Sequence, residues 1–306
     1  MKNKINGVIN IYKPRGLTSF QVVSKLRKIL NIRKIGHTGT LDPEAEGVLV
    51  VCIGEATKIA QILTNTKKVY EAEVVFGIET DTWDMEGKIV REKECRNLKD
   101  KILNTLSDFI GEINQIPPMY SAISYKGKRL YKLAREGKNI ERKPRKVRIY
   151  KIDFLDYRED KYPTASFQIE CGSGTYIRSF AYDLGRKIDC PASLFSLVRK
   201  EVGDFSIKDA YTLDEISKYI KEGKIGEFLI PIKDAFPSPN VLSINDKEKE
   251  KVKKGQYILV SEDRLRDTNI LEPIILLYNE TPIAFGKIEK RKDRYLFYPK
   301  RVFNIE

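Results

Sequence analysis

The chain has 306 residues, 41% of them hydrophobic, and 56 Lys+Arg against 43 Asp+Glu give it a net charge of +13. That is enough to build one large domain plus a small one, or two domains, and the positive balance favours a polyanionic partner, nucleic acid before membrane. With no signal-peptide core near the N-terminus and no run of about 18 apolar residues, a cytoplasmic protein is expected. Cys52, Cys95, Cys171 and Cys190 are scattered without a Cys-x-x-Cys pair. That scatter points to free buried thiols in a reducing cytosol, with no disulfide framework and no zinc site.

In chain order, residues 7–12 alternate as a strand and stop at the turn Lys13-Pro14-Arg15-Gly16. Thr18 and Gln21 have capping-box spacing, and Phe20, Val23, Leu26 and Leu30 recur at helical period, so a helix follows. Next comes a loop punctuated by Gly and Pro, Gly36-His37-Thr38-Gly39-Thr40-Leu41-Asp42-Pro43, feeding an almost wholly apolar strand over 47–54. Residues 58–63 read as a short helix and 70–77 as an alternating strand. Leu98, Ile102, Leu103, Leu106, Phe109 and Ile110 mark an amphipathic helix. Residues 147–157 and 165–171 read as long strands and 175–188 as a helix opening just after Gly174. Strands mixed singly and in pairs with helices give an α+β class around a mixed sheet. The proline-rich stretch 231–239 reads as a linker, which divides the chain into 1–236 and 237–306. Beyond it, short strands at 257–260, 273–278, 282–288 and 295–298 form a small β-rich module.

The chemistry-bearing residues are few. Walker-type and Gly-x-Gly-x-x-Gly loops are lacking, so no nucleotide cofactor is expected. His37, the sole histidine, rules out a multi-histidine metal site. Three acids in Asp81-Thr82-Trp83-Asp84-Met85-Glu86-Gly87 do not have EF-hand spacing. Asp42, on a tight loop aimed by a buried strand, suits a nucleophile or an acid/base group, and Arg178 at the start of a helix could pair with it and keep it charged. Between Lys126 and Arg148 eleven basic residues face two acidic ones, with Tyr125 and Tyr131 interleaved. Cations beside stacking surfaces are suited to RNA, and Gly127 and Gly137 suggest a segment able to change shape.

Six segments, in order, resemble those of one family, the bacterial tRNA pseudouridine synthases of the TruB type. They are Lys13-Pro14-Arg15-Gly16-Leu17-Thr18-Ser19, the loop from Gly36 to Pro43, Thr80-Asp81-Thr82-Trp83-Asp84, Gln115-Ile116-Pro117-Pro118-Met119-Tyr120-Ser121-Ala122, Gly174-Thr175-Tyr176-Ile177-Arg178-Ser179 and Pro299-Lys300-Arg301-Val302-Phe303-Asn304. The resemblance runs from near residue 7 to residue 304. It departs locally at Gly172-Ser173, where a more basic pair is common, and at Lys200, where threonine is frequent.

The resemblance implies the pseudouridine synthase fold, with a largely antiparallel central sheet, and a PUA-like C-terminal module. It implies isomerisation of uridine-55 in the tRNA T-loop, without cofactor, on the T-arm stem-loop; a monomer is the default expectation, and a first strand starting at Gly7 favours an enzyme that needs no protein partner. Asp42 would be the catalytic aspartate. Tyr70 would stack on the flipped base, Tyr176 would pack near C5, Arg178 would pair with Asp42, and Leu197 would line the pocket. His37 would meet the flipped loop nucleotides. Lys126, Lys128, Arg129, Lys132, Arg135, Arg142 and Lys143 would contact RNA from a mobile insertion around 124–147. The alternative is a non-catalytic tRNA-binding protein on the same fold.

Overall fold

The computed structural model of the chain describes residues 5–236, 240–266 and 268–305. Its central sheet runs, edge to edge, through the strands Gly7–Lys13, Glu46–Ile53, Ala192–Val202, Lys68–Phe76, Thr164–Cys171, Arg145–Arg158 and Gly111–Gln115. The short strands Ile35–His37 and Phe205–Ser206 pair with Glu46–Ile53 and Ala192–Val202.

After Glu46 the Glu46–Ile53 strand is apolar and buried because both its faces are covered. Val48, Val50 and Cys52 enter one core with Val8, Ile59 and Phe285. Leu49, Val51 and Ile53 enter another with Ile9, Val22 and Leu26. Each side chain so buried stabilises the fold by about 1.5–3 kcal/mol, which makes this strand a rigid support for the loop before it. Val22 and Leu26 belong to the helix Ser19–Leu30, and its expected capping box is present: the Thr18 hydroxyl accepts from the Gln21 backbone N–H at 3.1 Å, and the Thr18 N–H donates to Gln21 Oε1 at 2.8 Å.

Among the described residues the strands of this sheet make one parallel ladder, Glu46–Ile53 with Ala192–Val202, and it lasts for two positions, Glu46/Val198 and Gly47/Arg199. Gly47 is required there: its φ is +104°, and a Cβ would stand 2.2 Å from the Arg199 carbonyl oxygen. Toward residue 192 the two strands part. The turn after Thr80 takes up the edge so freed, the Leu194 N–H donating to Trp83 O at 3.0 Å and the Met85 N–H to Leu194 O at 3.2 Å. The site lies at this opening.

A second, five-stranded sheet runs Val241–Ser243, Ile274–Tyr278, Thr281–Arg291, Arg294–Val302, Ile258–Val260. Ile275, Leu277, Phe285 and Phe303 join it to the core of Val8 and Val48.

Several expectations shift. The helix expected at 58–63 is a 3-10 turn, Gly54–Ile59, continued by Ala60–Thr64. The helix expected from 175 is Ile177–Lys187, because Tyr176 is extended and its N–H donates to the Gln115 side chain. The stretch expected as a linker is packed through residue 236, with Ile232, Ala235 and Phe236 buried, while Pro237 and Pro239 lie outside the described residues. The expectation of four free thiols is corrected. Cys95 and Cys190 form a disulfide, and Cys52 and Cys171 are free and buried. The bonded pair is 95 residues apart, a separation that spacing motifs do not report.

Candidate active site

The loop carrying Asp42 is clamped by the segment Lys13–Ser19. Lys13 is fully buried, and its ammonium donates to the carbonyl oxygens of Pro14 (2.9 Å), Pro43 (2.9 Å) and Ala45 (2.6 Å). Burial pulls its pKa down to about 8, against the opposing pull of Asp42. The Gly16 N–H donates to Pro43 O at 2.9 Å. Ser19 and Leu41 exchange two bonds, the Leu41 N–H donating to Ser19 Oγ at 2.9 Å and the hydroxyl donating to Leu41 O at 3.1 Å. These contacts fix the loop on both sides of Asp42, so the carboxylate is held by backbone that cannot drift.

The Asp42 side chain is 40% exposed, and its Oδ2 lies 3.0 Å from Nε of Arg178, whose side chain is 5% exposed. Arg178 has further partners: Asp84 Oδ2 at 3.4 Å from Nη1, Thr82 O at 3.3 Å from Nη1 and Tyr120 O at 2.7 Å from Nη2. A planar guanidinium with several fixed acceptors is held in one orientation. Burial raises the pKa of Asp84, with Arg178 opposing.

Both predicted tyrosines flank this pair. Burial pushes the Tyr70 and Tyr176 phenols up, and in each case the Asp42 charge adds to the rise. Tyr70 stands directly across the strands from Arg199, whose charge pulls the phenol back. Tyr176 is oriented by Gln115, which accepts from its N–H at 2.8 Å and donates to its carbonyl at 3.0 Å. Leu197 is half-buried against the same core as Tyr70 and Leu41. Thus Asp42 and Arg178, far apart in sequence, are in contact, and Tyr70, Tyr176 and Leu197 lie on the core and strands beside them.

His37 ends the short strand Ile35–His37. Burial and the Arg199 charge lower its pKa, and its Nδ1 is buried without a partner among the described residues. The basic insertion is a hairpin, Ser124–Tyr125 with Lys128–Arg129, turned through Lys126 (φ 46°) and Gly127 (φ 82°), then the helix Leu130–Arg135. Lys126, Lys128, Arg129, Lys132, Arg135 and Lys143 are exposed. Arg142 is not: it is half-buried, over the Trp83 ring and donating to Pro117 O at 3.3 Å.

Asp84, Arg199 and Lys13 were not singled out as site residues from the sequence. Asp84 lay in a segment read as an acidic turn. Arg199 is buried, donating to Val48 O at 2.7 Å and to Gly39 O at 3.1 Å, and so ties the loop to the strand after it. Among the described residues no group of three His, Cys, Asp or Glu gathers to hold a metal ion, and no helix is long and apolar enough to cross a membrane.

Residues 27–177 match the model of the TruB family pseudouridylate synthase, N-terminal domain. The chain is 43% identical over 292 residues to tRNA pseudouridine synthase B of Clostridium tetani, covering 95% of this chain and 98% of that protein. It is 44% identical over 300 residues to tRNA pseudouridine synthase B of Dehalococcoides mccartyi, covering 98% and 97%. In fold it is similar to a protein in the structure of an H/ACA RNP bound to a substrate RNA containing 2'-deoxyuridine, with a TM-score of 0.72 at 23% identity over 97% of this chain and 84% of that one.

Proposed function

Since the chain belongs to the TruB family of pseudouridylate synthases, we propose that it isomerises uridine-55 in the T-loop of tRNA to pseudouridine, with Asp42 as the catalytic group. The observation that carries this reading is the Asp42–Arg178 pair at 3.0 Å, in which the arginine is buried and the carboxylate is open to a ligand.

The reaction breaks the N1–C1′ bond, turns the uracil and closes a C5–C1′ bond; a proton leaves C5 and N1 gains one. Atoms balance within the nucleoside, so neither oxidant nor phosphate donor is consumed. A stacked uridine cannot turn, so it leaves the stack for a pocket. Tyr70 and Leu197 supply the surfaces that replace stacking, Tyr176 packs near C5, and Asp42 acts on the sugar or the base by attack at C1′, addition at C6 or removal of the C2′ proton. Arg178 holds the carboxylate in place through each of these. His37, whose imidazolium is disfavoured by burial and by the Arg199 charge, meets the loop nucleotides.

Lys126, Lys128, Arg129, Lys132, Arg135 and Lys143 provide phosphate contacts, and the C-terminal five-stranded sheet serves as a PUA-like RNA-binding unit beyond residue 236. The enzyme works as a cytoplasmic monomer without a protein partner. The test is tritium release from a T-arm hairpin carrying 5-labelled uridine, with the product's mass measured alongside. Release with unchanged RNA mass is expected. Binding without release leaves only a tRNA-binding protein, and loss of a base reveals a hydrolase.

A further inference from the structure

Trp83 is the chain's single tryptophan, and it stands where the basic insertion meets the active site. Its ring stacks on Tyr182, with centroids 4.3 Å apart and planes 17° from parallel. The Arg142 guanidinium carbon lies 5.3 Å from the centroid of the same indole. Tyr182 is one turn after Arg178 on the helix Ile177–Lys187 and so faces the same way. Trp83 itself has φ +63°, a left-handed conformation that a bulky residue keeps only where its surroundings impose it.

The two neighbours of Trp83 are partners of Arg178. Thr82 offers its carbonyl and Asp84 its carboxylate, at 3.3 and 3.4 Å. Any force that seats Trp83 therefore seats both. Arg142 supplies one such force, and it also donates to Pro117 O, closing the exit of the insertion onto its entry. That entry is fastened to the same helix: Ser179 Oγ donates to Ile116 O at 2.7 Å, and Arg178 Nη2 to Tyr120 O at 2.7 Å. A cation over an indole and away from bulk water is worth more than at the surface, and it leaves less of the guanidinium for a phosphate.

We propose that Arg142 is a positioning residue for the isomerisation: through Trp83 it holds the Thr82–Asp84 segment against Arg178, so that the Asp42–Arg178 pair depends on how the RNA-binding insertion is seated. The inference rests on the proposed function and reassigns Arg142 from RNA contact to internal brace.

The experiment compares the full-length wild type with Arg142→Gln, Lys128→Gln and Trp83→Leu on a T-arm hairpin. Single-turnover rate, Kd and the salt dependence of Kd are measured, together with the emission of Trp83. Arg142→Gln is expected to slow the rate about 3- to 30-fold, to leave Kd and its salt slope unchanged, and to shift the Trp83 emission of the free protein. Lys128→Gln, which removes an exposed cation, is expected to flatten the salt slope by about 0.9. In the Trp83→Leu background, adding Arg142→Gln is expected to change the rate less than about 2-fold, because the shared pathway is already gone.

Loss of about one unit of salt slope in Arg142→Gln with the rate intact would make Arg142 a phosphate contact and overturn the proposal. Full additivity with Trp83→Leu would overturn it as well. Should Arg142→Gln fail to fold, Arg142→Lys keeps the charge without the planar stack. It is expected to lose rate and keep its salt slope, and a wild-type rate in that variant contradicts the proposal. Absence of turnover in the wild type defeats the functional reading itself, and the proposal with it. A wild type that turns over while the Arg142 variants match it defeats the proposal alone.

Discussion

Replacing Arg178 by methionine removes a buried cation from between two carboxylates and two carbonyls, and its cost follows from those contacts. The donations to Thr82 O and Tyr120 O contribute roughly 1 kcal/mol each. Asp42, at 40% exposure, can be hydrated, so its pair adds at most about 1 kcal/mol. Asp84, at 20% exposure, is left as a charge with little solvent and adds about 1–2 kcal/mol. The sum is about 3–5 kcal/mol at neutral pH, which in a chain of this size is roughly a 5–10 °C fall in Tm. The loss has a sign in pH. Burial already raises the Asp84 pKa against the pull of Arg178, so without the arginine it rises further above its unfolded value. A carboxyl with a raised folded pKa favours the fold at low pH and loses that contribution as pH climbs through the folded pKa. The Tm deficit of Arg178→Met is therefore expected to narrow from about pH 7.5 to about pH 5, and adding Asp84→Asn should recover part of it at the higher pH. Thermal melts of the three proteins at both pH values decide the matter. A deficit that stays constant or widens in acid, with no recovery from Asp84→Asn, would refute the reasoning.

Two further outcomes follow from the same geometry. Gly47→Ala places a Cβ 2.2 Å from the Arg199 carbonyl at a φ of +104° and is expected to destabilise by at least about 2 kcal/mol while lowering turnover by moving the loop of Asp42; melts and rates near wild type would contradict it. His37 is expected to titrate below its ordinary value, because burial and the charge of Arg199 both disfavour the imidazolium. The unfolded chain then takes up that proton first, so this group's stability contribution is lost as pH falls below the unfolded value. NMR of the only imidazole in the chain reads this directly, and a pKa at or above about 6.5 would contradict it.

How much of this was legible in the sequence depended on periodicity. Glu46–Ile53 was plain because both its faces are apolar, and the helix Ser19–Leu30 because its stripe and its cap agree. The strand Ala192–Val202 was missed although it forms one wall of the site. Register shifts at Leu194/Ser196 and Arg199/Glu201 break its alternation, and it was visible only through Leu197. The helix Asp246–Lys253 buries a single residue, Val252, and so shows no apolar stripe. Asp42 and Arg178 were found because each sits beside a glycine-punctuated turn. Asp84 was passed over because its partner lies 94 positions away on another element, and the disulfide of Cys95 and Cys190 for the same reason. Arg142 looks like its basic neighbours in sequence, and only its place over Trp83 separates it from them.

The central claim is that one carboxylate, that of Asp42, does the chemistry while other groups bind the RNA. Asp42→Asn keeps the side chain's size and removes its charge, so single-turnover conversion of a T-arm hairpin and its Kd should be measured together on the wild type and this variant. The account predicts no detectable pseudouridine with a Kd within about 3-fold of wild type. Product formed by Asp42→Asn at the wild-type rate would contradict it.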